Sequence, residues 1–282
     1  MSQIAYAQQS SQLRDKTIAV LGAGKMGSLI LRSLLDSGTV ESGRLRGTVK
    51  HGEHARELRE QLKIAVDTSN PEAVRNVDIA LLCVKPSGVP KLLQNIRPSL
   101  SPNTVVISIA TGVTTETIES MLDPGTVVIR AMPNTPCRIG RGMTALCAGK
   151  CCQESHMAIA ETIFSLMGKT AEVDEIHMDA VTGLSASGPA FIYIVLEALA
   201  EGGVRVGLPR EVATNFAANA ALGAASMVLS TGEHPAVLKD EVTTPGGCTI
   251  DGILELEEGN IRATLIKAIT TTTRKASQLA RS

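Results

Sequence analysis

The feature that most constrains this chain is the run TIAVLGAGKMG at residues 17–27. Five residues of strand character lead straight into Gly22, and 29–35 carries apolar residues at helical spacing. A GxGxxG loop in that context is a strand–turn–helix unit whose glycines are there for backbone reasons. Gly22 makes the tight turn, Gly24 lets a ligand approach the backbone, and Gly27 lets helix and strand pack closely. The helix N-terminus adds free N–H groups and a partial positive charge, which suit a pyrophosphate. Gly22, Ala23, Gly24, Lys25, Met26 and Gly27 are therefore expected to hold the phosphates of a dinucleotide.

The rest of the first half agrees with this start. Short apolar runs recur at 46–49, 64–66, 79–84, 105–109 and 127–129, and further edge strands are expected at 143–148 and 171–173. The runs are apolar at nearly every position, which predicts strands buried on both faces of a parallel sheet. After about Glu175 the β-rich runs stop, and 189–206, 211–230 and 261–279 read as Ala- and Leu-rich helices. The expected fold is α/β: an N-terminal Rossmann-type doubly wound parallel sheet plus a C-terminal all-α dimerisation domain. The boundaries read as a disordered tail over 1–15, a dinucleotide-binding domain over 16–177 and a helical substrate domain over 178–282. The small-residue run AANAALGAA at 217–225 lets helices approach closely and suits burial against a second copy.

Composition excludes several function classes. Lys plus Arg is 27 and Asp plus Glu is 28, so the net charge is −1 and there is no basic field for nucleic acid or an anionic membrane. Aromatic residues are 2%, which leaves few platforms for stacking bases. No segment is expected to approach the roughly 18 apolar residues of a membrane span. The N-terminus lacks the apolar stretch of a secretory signal, so a cytoplasmic location is expected. The six cysteines form no CxxC and no Cys/His ligand pattern, and read as reduced thiols with no metal.

Three further segments fall at strand ends. The second strand closes on GTVKHG, with no carboxylate at its tip for ribose hydroxyls. Lys50, His51 and Arg56 either meet a 2′-phosphate, favouring NADP, or form a solvated basic loop. The fourth strand runs into Cys83, Val84, Lys85 and Pro86, and the fifth into Ile109, Ala110 and Thr111. Small residues in that row let a nicotinamide ring lie flat.

The second half carries two segments rich in Ser, Thr and Gly at helix starts, DAVTGLSASGP at 179–189 and VTTPGGCT at 242–249. Each offers N–H groups and hydroxyls to an anion, or is an ordinary capped helix start. Together with GAGKMG, CVKP, AMPNTP, GLPR and HPAVLKDE, they make the chain resemble the pyrroline-5-carboxylate reductases from about residue 17 to 279. The departures are an N-terminal extension, Glu241, Thr244 and Cys248.

The resemblance implies reduction of the cyclic imine L-1-pyrroline-5-carboxylate to L-proline, with NADPH, or NADH, as hydride donor. It implies a homodimer through the C-terminal helices, assembling further into a decamer of five dimers. It places Asn70 at the adenosine end of the cofactor, although Asn70 equally reads as a helix cap before Pro71. It places Glu175, Gly247, Cys248 and Thr249 at the substrate, with Thr182 and Ser187 as further candidates near the nicotinamide. A protonated imine is already electrophilic, so the Thr249 hydroxyl is expected to act as a polariser or proton relay rather than a strong acid. A β-hydroxyacid dehydrogenase is disfavoured because helix 190–206 has no lysine. A reductase of a related imine and a non-catalytic NADP sensor are the remaining readings.

Overall fold

The computed structural model describes residues 12–279. Residues 1–11 of the expected tail lie outside the described residues. Its inner end corrects that expectation: Lys16 N–H donates to the Leu13 carbonyl at 3.0 Å, and Leu13 is wholly buried in the core.

Eight strands form one sheet: β1 (Ile18–Leu21), β2 (Leu45–Thr48), β3 (Ala65–Asp67), β4 (Ile79–Leu82), β5 (Val105–Ser108), β6 (Val127–Met132), β7 (Gly142–Ala148) and β8 (Gly168–Glu172). The order is β3-β2-β1-β4-β5-β6-β7-β8. Strands β1 to β6 run parallel, β7 turns back against β6, and β8 is parallel to β7. The first six give the doubly wound order of dinucleotide-binding sheets.

The unbroken apolar strands are explained by helices on both faces. Between the strands lie α1 (Lys25–Asp36), α2 (Gly52–Leu62), α3 (Asn70–Ala73), α4 (Val89–Ile96), α5 (Thr115–Ser120) and α6 (Glu154–Ser165). Ile18 and Val20 pack into one core with Leu31, Leu34 and Phe164. Their neighbours Ala19 and Leu21 pack into the other with Val89, Leu93 and Ile118. Successive strand residues point to opposite faces, so a strand covered twice needs apolar side chains throughout. At the open edge, β8 exposes Lys169 and Glu172, charges that discourage pairing with another chain.

Arg130 stands in the middle of the apolar strand β6 and is 1% exposed. Its Nη1 donates to Glu175 Oε1. Its Nη2 lies 3.6 Å from Asp179 Oδ1, an ion-pair distance. Glu175 Oε2 also accepts the Thr115 N–H at 2.9 Å and hydroxyl at 2.8 Å, at the start of α5. Asp179 Oδ2 accepts the Ser277 hydroxyl at 2.7 Å. Cys147 on β7 pairs with Arg130 in the ladder and points its thiol at Glu175 Oε2, 3.8 Å away. Burial, with the Glu175 charge second, pushes that thiol up to about 12, so Cys147 stays protonated. One guanidinium thus joins β6, β7, α5, the short α7 (Met178–Val181) and the last turns of α12 (Ile261–Leu279).

The chain forms two compact units, Met1–Ala186 with Thr272–Ser282, and Ser187–Thr271. The segment from Met178 therefore belongs with the sheet. Met178 is buried in a cluster with Met132, Ala145 and Cys147, and Asp179 is held as just described.

The second unit holds α8 (Gly188–Arg205), α9 (Arg210–Thr231), α10 (Pro235–Glu241), α11 (Cys248–Glu258) and the first part of α12. Helices α8 and α9 meet at Ala200, Ala213 and Ala217, and a Cβ on Gly203 would lie 2.9 Å from Ala213 Cβ. Most of this unit's apolar surface is not used inside the chain: Tyr193, Val206, Phe216, Leu222, Leu229 and Leu254 are all exposed. The expectation that no segment suits a membrane span is corrected here. Two helical stretches, Glu175–Arg205 and Arg210–Thr231, are long and apolar enough by length and composition.

Arg130→Met should lower the unfolding free energy by about 3–5 kcal/mol, because Glu175 and Asp179 lose the buried cation they share. Urea unfolding followed by circular dichroism measures this. A loss within the range of an ordinary surface substitution, about 0.5 kcal/mol, would show that the network is not an anchor.

Candidate functional site

The carboxyl ends of the parallel strands bring the expected cofactor residues into one row. The turn after β1 has Gly22 at φ +90°, a conformation that favours glycine. A Cβ there would lie 2.9 Å from Val84 Cγ1 and 3.0 Å from the Cys83 carbonyl oxygen, so the β4 loop closes over the turn. A Cβ on Gly27 would meet the Gly22 carbonyl oxygen at 2.6 Å, which is impossible without movement. Gly24 differs: it is exposed, has ordinary backbone angles, and nothing lies within 4 Å of its missing Cβ. The protein's own packing does not require its glycine, and the position leaves room for a ligand to lie against the backbone.

Gly24 caps α1 without a side-chain hydrogen bond. The first-turn N–H groups of Lys25, Met26 and Gly27 therefore have no capping side chain, at the positive end of a 12-residue helix. No acidic residue stands in that first turn. An anion fits there.

The neighbouring loops complete the row. Cys83, Val84, Lys85 and Pro86 follow β4; the strand stops at Leu82, earlier than its apolar run suggested, and Pro86 opens a 3₁₀ turn. Lys85 is exposed, while burial pushes the Cys83 thiol up to about 12 and keeps it neutral. Ile109, Ala110 and Thr111 follow β5, where the Ala110 N–H donates to Ser108 Oγ at 3.2 Å. The far end of that loop is pinned by the Glu175 contacts to Thr115. Lys50 is exposed two residues past β2. Asn70 begins α3, but Ser69 is its cap, accepting the Glu72 N–H at 3.5 Å. The capping alternative for Asn70 thus falls away. Its Oδ1 instead accepts the Thr48 hydroxyl at 2.6 Å.

The expected substrate residues divide between the two units. Glu175 and Thr182 belong to the first. Both Glu175 oxygens are engaged within the unit by Arg130, Thr115 and Cys147. Thr182 is buried, and its hydroxyl donates to the Met178 carbonyl at 2.9 Å. A buried hydroxyl such as that of Thr182 must find a partner nearby, whereas the Glu175 side chain is 29% exposed.

In the second unit, Ser187 stands at the start of α8. Gly247, Cys248 and Thr249 open α11, whose cap Gly247 makes no side-chain hydrogen bond. The turn before it is tight: Gly246 has φ +70°, and a Cβ on Gly247 would lie 2.5 Å from Thr244 Oγ1. Cys248 and Thr249 are exposed. This is a second uncapped helix N-terminus, with a hydroxyl beside it.

Comparison with known proteins decides what these two sites belong to. A relative from Arabidopsis thaliana named pyrroline-5-carboxylate reductase is 39% identical over 94% of this chain and 96% of its own length. The chain belongs to the pyrroline-5-carboxylate reductase family. The Methanosarcina acetivorans member is 40% identical over 95% of this chain and 99% of its own. The family model described as pyrroline-5-carboxylate reductase dimerisation matches residues 175–279, and one described as NADP oxidoreductase, coenzyme F420-dependent, matches residues 17–112. Among solved structures, the Coxiella burnetii reductase superposes with a TM-score of 0.86 at 32% identity, covering 95% of this chain and 99% of that one. The Plasmodium falciparum reductase, solved with NADP bound, has the same TM-score at 28% identity and the same coverage.

Two residues of this family member escaped the sequence reading. Arg130 was hidden in a strand, though a lone arginine in VVIRAM is itself a signal that a buried charge needs partners. Thr48 was hidden because a threonine at a strand end is unremarkable by type.

Gly24→Ala should leave the melting temperature unchanged while weakening NADPH binding by about tenfold, the equivalent of one hydrogen bond to a charged group. Gly27→Ala should cost about 1–3 kcal/mol of stability through the clash with Gly22. Thermal melting and NADPH titration of both variants check the pair, and the reverse pattern would reject the assignment of roles.

Proposed function

We propose that this protein reduces L-1-pyrroline-5-carboxylate to L-proline with NADPH, the last step of proline biosynthesis. The observation that carries the reading is that each unit has an uncapped helix start, Gly24 at α1 and Gly247 at α11, in a chain related to named reductases over 94–95% of its length. NADPH, when bound, supplies the hydride. The protein's own contribution is placement. Ala23, Gly24, Lys25, Met26 and Gly27 hold the pyrophosphate, Lys50 and Asn70 meet the adenosine half, and the loops at 83–86 and 109–111 bed the nicotinamide. The absence of a carboxylate at the β2 tip, with Lys50 just beyond it, favours the 2′-phosphate of NADPH over NADH.

The backbone N–H groups of Gly247, Cys248 and Thr249 hold the substrate carboxylate, and Ser187, at the start of α8, is a further substrate contact near the nicotinamide. The Thr249 hydroxyl, exposed and free of a capping role, accepts from the N–H of the protonated imine and donates to the nitrogen lone pair that forms as hydride adds. Glu175 and Thr182 are left out of this set, since their polar atoms are used within the fold. Fixed geometry supplies most of the rate, because correct orientation in intramolecular reactions is worth about 7–11 kcal/mol.

The working form is a cytoplasmic homodimer, assembling further to five dimers. The match to a dimerisation model over 175–279 supports a second copy, rather than lipid, as the cover for the exposed apolar side chains.

Purified protein with pyrroline-5-carboxylate should oxidise NADPH in a one-to-one ratio with proline formed, and faster than NADH. Folded protein that binds NADPH yet turns over neither cofactor would sink the substrate assignment. Thr249→Ala should cut turnover by about 10²-fold or more while leaving NADPH affinity intact. Equal loss of both would move Thr249 out of the reaction.

A further inference from the structure

Thr48 ends β2 and is 1% exposed. The Gly22 N–H forks onto it, donating to the Thr48 carbonyl at 3.1 Å and to Thr48 Oγ1 at 3.2 Å. The Thr48 hydroxyl in turn donates to Asn70 Oδ1 at 2.6 Å. Thr48 Oγ1 accepts the Gly22 N–H and donates its own proton to the Asn70 carbonyl oxygen. An asparagine side chain alone could face either way, since its two ends have nearly the same shape. Here the 2.6 Å separation, within the O–H···O range and below that of N–H···O, sets the carbonyl oxygen toward Thr48.

The consequence lies at the other end of the amide. With Oδ1 turned inward, the Asn70 NH2 is the end left over, and it makes no hydrogen bond among the described residues. Because Ser69 caps α3, Asn70 is not consumed by its helix either. A dinucleotide site with a carboxylate in this region accepts hydrogen bonds from ribose hydroxyls. This chain presents donors instead, the Asn70 NH2 and, two residues past Thr48, the exposed Lys50.

We propose that Thr48 is a positioning residue that sets the amide polarity of Asn70, so that Asn70 offers two N–H donors to an acceptor oxygen on the phosphorylated adenosine half of NADPH. This rests on the NADPH reading given above. The same threonine is bonded to the glycine turn through Gly22, so one side chain keys the pyrophosphate loop and the adenosine contact to each other.

Four single variants and one double variant of the full-length protein test it, with NADPH affinity read by fluorescence titration and turnover read at saturating NADPH. Thr48→Val keeps the branched shape, and the Gly22 N–H keeps the Thr48 carbonyl. It should raise the NADPH dissociation constant about five- to tenfold, while turnover at saturation stays within about twofold. Thr48→Ser, which restores the hydroxyl, should bind like the parent. Combined with Asn70→Ala, Thr48→Val should add nothing further. Asn70→Asp should bind NADPH more weakly than Asn70→Ala, because it turns an acceptor toward an acceptor; this comparison stands by itself should Thr48→Val fail to fold. Unchanged affinity in Thr48→Val, additivity with Asn70→Ala, or tighter binding by Asn70→Asp than by Asn70→Ala would each overturn the proposal. Those results would leave parent NADPH binding intact, whereas a parent that does not bind NADPH would overturn the cofactor reading itself.

Discussion

The buried guanidinium of Arg130 is the interaction on which the distal half of the first unit depends. A charge removed from water must be paired and hydrogen-bonded, or it destabilises the fold by several kcal/mol. Arg130 is paired with Glu175 through Nη1 and faces Asp179 at ion-pair distance, while its Nε and Nη2 make no hydrogen bond among the described residues. Each carboxylate then holds something else. Glu175 fixes Thr115 and so one end of the loop after β5, and Asp179 fixes Ser277 in the last turns of α12. A single desolvated cation therefore orders a cofactor-facing loop, the antiparallel turn of the sheet and the returning C-terminal helix. Burial is strong enough that even Cys147, beside the pair, is kept as a neutral thiol.

The near edge of the same sheet is governed by steric exclusion instead. Gly22 and Gly27 are forced by contacts of 2.9 and 2.6 Å that any Cβ would make, whereas Gly24 opens onto free space. That contrast separates, within the turn, the glycines the fold needs from one that packing does not require. It also shows why strand order matters to chemistry. Parallel strands β1, β2, β4 and β5 all end on one side, so every loop that follows them contributes to one crevice.

The second unit obeys a different balance. Its helices touch through alanine and glycine, which allow close approach but bury little area per residue. Large side chains such as Tyr193, Phe216 and Leu229 face outward. A surface of this kind is costly to leave in water, at about 25 cal/mol per Å² of apolar area. The same composition makes two of its helical stretches long and apolar enough to resemble membrane spans. The dimerisation match explains the apolarity as an interface.

Much of this was legible in the residues themselves. Local chemistry determined the strand–glycine–helix turn, the doubly buried strands and the change to helices after Glu175, because backbone sterics and side-chain periodicity act over a few residues. The reductase family was legible too, through motifs at 179–189 and 242–249. The fate of individual polar side chains was not. Glu175 and Thr182 have the right residue types for a substrate site, yet Glu175 serves Arg130, 45 positions away, and Thr182 serves its own helix. Asn70 could be a cap or a ligand contact until Ser69 took the first role and Thr48, 22 positions away, turned its amide. A sequence determines which groups are available within a turn or a strand; which buried donor meets which acceptor depends on contacts between distant segments, and only the tertiary structure decides those.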